Sequence, residues 1–473
     1  MNLFKKIIIL CMAFVLMLSF AACKSSEDKN DDEQKTVEDG TELWENSFSA
    51  VVKNGKAVIT DTTANEDNVV IPETIEGVVV TEIGDEAFKY SRCKSIEMPN
   101  TIVKIGSSAF VNSSDLIEVK LSDSLVEIGY SAFSGIEGLT SITFPSSLIS
   151  IGERAFYDCD GLTKITLPES LETIGDSAFE SCGALSEIYI SKSVKEIGAD
   201  AFTGLEALKS FDVSSDNTAF ASIDGVLFTK DITELIAYPF TKSDLEYTVP
   251  DTVEKLHNSV FYNNSSLKTI NLPKGLKEIG EKCFYQCSLL SKIDIPEGVT
   301  SIPTFAFYKC EKLREVILPD SITLINYCAF SDCEALENVS LPKSLVCIGQ
   351  HAFSRCTVAF KELVIPEGVT SIGMQAFNEC YFMTKITLPS SLEEIGEYAF
   401  RACYFLKEIE IPDSVTEIGN NAFLGCGNIG KVINPDNDLP LISLDTNDVT
   451  LICTKDSYAF NYARKYDINV KVK

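Results

Sequence analysis

Nine cysteines of this 473-residue chain occupy one recurring slot, three residues after a phenylalanine: Cys159, Cys182, Cys287, Cys310, Cys333, Cys356, Cys380, Cys403 and Cys426. Thiols at regular intervals are able to bridge, to bind metal or to attack a substrate. Neighbouring β rungs stand about 4.8 Å apart, within the reach of a disulfide, and an exported chain meets oxidising conditions. In other copies, however, the slot holds Ser91, Ser113, Ile136, Leu205 and Asn264, so it accepts any side chain of modest size. The expectation is a ladder of buried free thiols acting as small hydrophobes. No metal is expected, since no C-x-x-C pair exists and only two histidines are available.

The remaining chemical motifs are weaker. Gly425-Cys426-Gly427-Asn428-Ile429-Gly430 matches G-x-G-x-x-G. A dinucleotide site needs that motif between a strand and a long helix, whereas here it follows a turn and precedes a strand at Val432. His257 and His351 fall at turn positions and are expected on the solvated surface, so no Ser-His-Asp triad is assembled. Carboxylates are abundant but sit at variable positions, and no glycosidase pair stands out. Asp28-Lys29-Asn30-Asp31-Asp32-Glu33 has the acidic spacing of a calcium loop but lacks its sixth-position Gly and its downstream Glu. No catalytic residue, cofactor or metal site is therefore expected.

What must position any site is a repeat. The phrase L-x-x-I-x-L-P-x-S-L-x-x-I-G-x-x-A-F-x-x-C recurs fourteen times with a period of about 23 residues, its Phe falling at Phe88, Phe110, Phe133, Phe156, Phe179, Phe202, Phe261, Phe284, Phe307, Phe330, Phe353, Phe377, Phe400 and Phe423. Such a period means a solenoid, because each unit is too small to bury its own apolar face. In Leu162–Leu185, Ile165 and Leu167 alternate with polar residues as a short strand, which Pro168 ends. Leu171 and Ile174 point inward on a second segment. Asp176-Ser177-Ala178-Phe179 reads as a short turn, with one turn of helix in view. His257, Pro303 and Asn326 replace the Gly of I-G. Because Pro holds φ near −65°, that Gly is expected to serve close packing rather than a left-handed backbone.

A net charge of −29 opposes binding to nucleic acid and direct adsorption to anionic lipid. Residues 1–22 read as a signal peptide: Lys5 and Lys6, then an apolar run from Ile7 to Ala22 that is short for a membrane span. Leu18-Ser19-Phe20-Ala21-Ala22-Cys23 resembles a bacterial lipobox, with Phe20 where Leu is usual. That resemblance implies a lipid on Cys23 and the outer face of the cytoplasmic membrane as the address; secretion after cleavage behind Ala21 is the alternative. Residues 23–43 read as an acidic disordered tether, 44–80 as an N-terminal β cap, 81–435 as the solenoid and 436–473 as a C-terminal cap with a helix over Ser457–Tyr466. Phe202 and Phe261 lie 59 residues apart, which leaves 36 beyond one period. The insert, 214–244, carries strand-like runs and the hairpin signal Asp224-Gly225. It is expected to stand out from one face, so that deleting Ser215–Ser243 would leave the fold intact.

These phrases, together with Ile223-Asp224-Gly225-Val226-Leu227-Phe228, resemble the BspA-type leucine-rich-repeat surface proteins, also called the Treponema pallidum type. The resemblance covers roughly Ala57 to Val472. It implies a right-handed leucine-rich-repeat solenoid of 14 coils with a parallel strand ladder. It also implies a secreted or surface-held bacterial protein that binds macromolecules, with some members acting as adhesins. It supplies no catalytic motif and no ligand. The expected function is recognition of a protein or glycan by the strand face, with membrane contact only through the lipid anchor; a structural spacer and an enzyme are the alternatives. The ligand-binding candidates are Tyr189, Asp212, Asp294, Ile317 and Val364 on the outward strand row, and Asp224 and Tyr238 in the insert. Ile317 and Val364 are apolar where polar residues are usual.

Overall fold

The computed structural model describes residues 37–64, 66–358, 360–427, 432–433, 440–441 and 448–473. Cys23, the signal-like segment, the calcium-like stretch 28–33 and Asn428–Gly430 lie outside the described residues. Residues Asp39–Lys473 make one compact unit.

Two short strands and a hydrogen-bonded turn make each coil. The first strand, such as Lys164–Thr166, alternates exposed, buried and exposed residues, as a period of two demands. The second, such as Thr173–Ile174, buries its Ile. Both strands pair in parallel with the same position of the next coil: Ser141–Thr143 matches Lys164–Thr166 residue for residue, and Ile151 matches Ile174. The second ladder runs unbroken from Val78–Ile83 to Glu196–Ile197, whereas the first is interrupted at several coils.

The third side of the coil is not helical, contrary to one expectation. Ser177 and Ser181 adopt left-handed φ of 52° and 61°. Their alternation with right-handed neighbours directs every second N–H to the next coil. Ser177, Phe179 and Ser181 donate to the carbonyls of Ala199, Ala201 and Thr203 at 2.8, 3.0 and 2.9 Å, while Ala178 and Glu180 donate back to Gly175 and Ser177. A helix would keep these bonds within one coil.

The core is a column of stacked side chains. Phe88 to Phe202 form one run of near-parallel rings and Phe261 to Phe423 another, with centroids 4.9 to 6.1 Å apart. The I-G glycines lie against the coil before them. A Cβ on Gly129 would meet the Gly106 carbonyl carbon at 2.9 Å, and no left-handed φ occurs there. Close packing is thus the reason for Gly. In the same slot, Asn326 turns its amide to the Ile302 carbonyl at 3.0 Å, and His257 turns its ring toward Glu234.

The solenoid has about 17 turns rather than 14. The surplus comes from turns that lack the phrase. At the N-terminus Lys56–Thr62 pairs with Val78–Ile83 and Asn68–Val70 with Ser95–Glu97. At the C-terminus Thr450–Cys453 takes the rung after Glu408–Glu410 and carries Asn469–Val472. Helix α1, Tyr458–Lys465, begins at Ser457, whose hydroxyl accepts from the Phe460 N–H. It covers the last coil, where the Tyr462 hydroxyl accepts from the Ala422 N–H at 3.0 Å.

The insert supplies the third extra turn and corrects another expectation. Phe220–Ile223 and Val226–Thr229 form a hairpin with Asp224 and Gly225 at φ 50° and 79°. The next strand, Glu234–Ala237, pairs in parallel with Lys255–Leu256 and so joins the second ladder. Val226, Leu227, Phe228 and Leu235 are fully buried. The insert is a splice in the core, not an excursion from one face.

Candidate functional site

The outward row of the first ladder carries the candidate residues. Tyr189 and Asp212 stand opposite each other on the paired strands Glu187–Ile190 and Ser210–Val213. They share a shallow depression with Lys164, Thr166, Ser222 and Gly225. Asp224 lies at the hairpin tip beside it, and its carbonyl accepts from Lys242 Nζ at 3.1 Å. Tyr238 does not belong to this set. It is buried, packs its ring tilted against Phe261 at 5.2 Å and donates its hydroxyl to Asp244 at 3.1 Å. Its ring takes the place of a repeat phenylalanine, in a turn whose lack of the phrase hid that role.

Farther along, Asp294 and Ile317 face each other across the paired strands Lys292–Asp294 and Glu315–Ile317. Lys292 lies 3.5 Å from both Asp294 and Glu315. Ile317 is 45% exposed and Val364 67%. Ile317 opens onto a groove lined by Val339, Val358, Phe360 and Phe382, with Glu315, Glu337, Lys361 and Glu362 among its polar groups. The groove lies where the first ladder breaks, because Asn338–Val339 is not paired with Glu362–Val364. Phe360 there is buried, at a left-handed φ of 59°. Sequence reasoning missed Val358, Phe360 and Phe382. Their signal was the spacing of 24 rather than 23 residues between Phe353 and Phe377, which marks one extra residue in the loop between Cys356 and Phe360. Beside the groove, Phe382 stacks on Phe405 at 5.5 Å and Tyr381 on Tyr404 at 5.0 Å.

Much of the remaining outward surface is charge-paired between coils, as in Lys104–Glu127 at 3.1 Å and Lys195–Glu172 at 2.9 Å. Neither histidine is fully solvated. His257 Nε2 lies 2.6 Å from Glu234 Oε2, and His351 packs edge-on against Tyr327 at 5.6 Å. Burial lowers the His351 pKa, so its ring is neutral at neutral pH.

The cysteine slot has a polar role of its own. Each of the nine thiols donates to the carbonyl of the phenylalanine one coil earlier, from 2.9 Å for Cys426 and Phe400 to 3.3 Å for Cys403 and Phe377. Ser113 makes the same bond to Phe88 at 2.9 Å. In these ten coils the slot holds a small donor, although Ile136 and Leu205 fill it elsewhere without one. Burial pushes the Cys287 thiol up to about 12, and it pushes Cys310, Cys356 and Cys403 well above their ordinary value. These thiols stay protonated, whereas a nucleophile needs thiolate.

Short parallel strands stacked coil on coil around a phenylalanine column define a leucine-rich-repeat solenoid. The BspA-type leucine-rich-repeat region matches in six copies, over residues 81–209, 233–359 and 324–443. The chain belongs to that family, and the unmatched stretch 210–232 holds the hairpin of the insert. The crystal structure of the pneumococcal vaccine antigen PcpA is similar over 92% of this chain and 100% of that one, at 24% identity and a TM-score of 0.56. A leucine-rich cell surface protein from Faecalibacterium prausnitzii is similar over 73% of this chain and 94% of its own, at 26% identity and a TM-score of 0.55. A leucine-rich-repeat protein from Eubacterium ventriosum shares the fold over 82% of this chain and 94% of its own, at 23% identity and a TM-score of 0.50. No curated protein matches the chain.

Proposed function

We propose that this chain is an exported recognition module whose strand face binds a protein or a glycan. One observation carries the reading: a row that is mostly polar or charge-paired presents Ile317 and Val364 to solvent, Ile317 on the lining of a groove, as it also presents Val70 and Tyr189 nearer the N-terminus. Single exposed apolar side chains are common on any surface, but Ile317, Val358 and Phe382 gather around one opening, and a contiguous apolar patch marks a partner site. The solenoid is built before binding, so little conformational entropy is lost when a ligand docks. The F. prausnitzii relative is described as a cell surface protein, which fits the signal-like N-terminus. Cys23 is the proposed lipid attachment point, holding the solenoid at the outer face of the membrane. Replacing Cys23 by Ser should move the protein from the membrane fraction to the soluble one.

The direct test is a screen of the unit Asp39–Lys473 against a glycan array and a panel of purified extracellular-matrix proteins. Saturable binding that falls with Ile317→Asp and Val364→Asp supports recognition by this face. Silence across both panels supports the alternative, a structural spacer, with which the charge-paired coils are consistent.

A further inference from the structure

We infer that the groove opened by the extra residue after Cys356 takes a segment of a protein that presents an aromatic or aliphatic side chain next to Lys or Arg. This deepens the reading above and rests on it. The argument begins with the break in the ladder. In most coils the residue that opens the first strand donates to its counterpart one coil back, as Glu337 donates to the Arg314 carbonyl at 2.9 Å and Thr384 to the Lys361 carbonyl at 2.9 Å; among the described residues the bond is missing also at Thr140 and at Lys407, but only after Cys356 does an extra residue accompany the gap. Among the described residues no such bond joins Lys361 to Glu337. The two coils part there, and Phe360 sits at the floor of the opening with its backbone in the left-handed region.

The chemistry of the lining selects the occupant. Val358 is 42% and Phe382 41% exposed, and with Ile317 they surround the opening. Branched aliphatic chains gain from burying apolar surface and make no directed bond. Polyhydroxylated sugars prefer a free aromatic face, and the stack of Phe382 on Phe405 takes up one face of each ring. The charges set the sign of the partner. Glu315, Glu337 and Glu362 line the groove against Lys361, and among the described residues only Glu315 has an ion-pair partner, Lys292 at 3.5 Å. The whole chain is at −29. A basic flank on the partner would complement both the groove and the body.

The experiment selects random dodecapeptides displayed on phage against the unit Asp39–Lys473, then measures a synthetic peptide of the enriched sequence on wild type and variants. Enrichment of an apolar or aromatic residue flanked by Lys or Arg is expected. Phe382→Asp and Ile317→Asp should each weaken that peptide by about tenfold or more. The charge reversal Glu337→Lys plus Glu362→Lys should weaken it further at low salt than at high salt. Thermal melts of each variant check that the coil is intact, and all four positions are exposed or on the rim. Three results overturn the inference: no enrichment, enriched peptides without basic residues, or affinity unchanged in the groove variants. If a glycan instead binds and is lost with Phe382→Asp, the protein partner is wrong while recognition by this face stands.

Discussion

At Gly175 a methyl group has no room. A Cβ there would meet the Gly152 carbonyl carbon at 2.6 Å and Glu153 Cα at 2.9 Å, both backbone atoms that cannot turn aside. Gly→Ala on a chain of ordinary φ would otherwise stabilise by about 0.4–1 kcal/mol through the unfolded state. Overpacking costs about 1–3 kcal/mol and wins. Gly175→Ala is expected to lower the unfolding free energy by that amount, read as a lower urea midpoint at unchanged slope. A midpoint that rises would show that Gly is present for flexibility instead. The thiols give a second residue-scale prediction. Cys287 is raised from its ordinary value of 9.0 to about 12. A group raised on folding stabilises fully below its unfolded pKa and loses that contribution as pH rises toward the folded one. The melting temperature should therefore hold up to about pH 9 and fall between pH 9 and 12. Alkylation of Cys287, read by mass spectrometry, should appear only as the protein unfolds. Thiolate in the folded state would refute the burial argument.

At the scale of the element, the insert decides how the two halves of the solenoid are joined. One contiguous core runs from Val226 to Ile468 and includes Phe228, Leu235 and Tyr238. Removing Ser215–Ser243 would take Val226, Leu227, Phe228 and Leu235 with it and leave Lys255–Leu256 without its neighbour strand. Emptying one large core site costs about 2–5 kcal/mol, so several exceed the typical 5–15 kcal/mol of a whole domain. The deletion should give a protein that aggregates or melts far below wild type. A cooperative melt near the wild-type temperature would restore the picture of an excursion. The sequence exposed the hairpin through Asp224-Gly225 and the closing helix through Ser457, because both depend on local chemistry. It left the burial of Tyr238 and the break at Phe360 hidden, since these depend on which coil lies next to which. The left-handed turns at Ser177 and Ser181 were hidden for the same reason: their N–H groups are satisfied by the following coil, and local propensity does not record that. The phrase counted fourteen turns because the other turns fill the same rungs with different residues.

For the whole molecule, charge acts in two opposite directions. The chain carries 69 acidic and 40 basic side chains, and a quasi-one-dimensional body spreads that excess along every coil. Its ion pairs are mostly solvent-exposed, as Lys277–Glu254 is at 65% and 52%, and such pairs contribute about 0–1 kcal/mol each. Repulsion among the unpaired carboxylates is the larger sum. Both are screened as the Debye length falls from about 30 Å at 0.01 M to about 10 Å at 0.1 M. Adding salt should therefore raise the melting temperature. A fall would mean that the paired ladders dominate. Capture of a basic partner should respond in the other direction, its association rate dropping steeply with the same salt. Measured on one preparation, the two trends separate the charge that burdens the fold from the charge that draws in the ligand. Only the second should weaken when Glu337 and Glu362 are reversed.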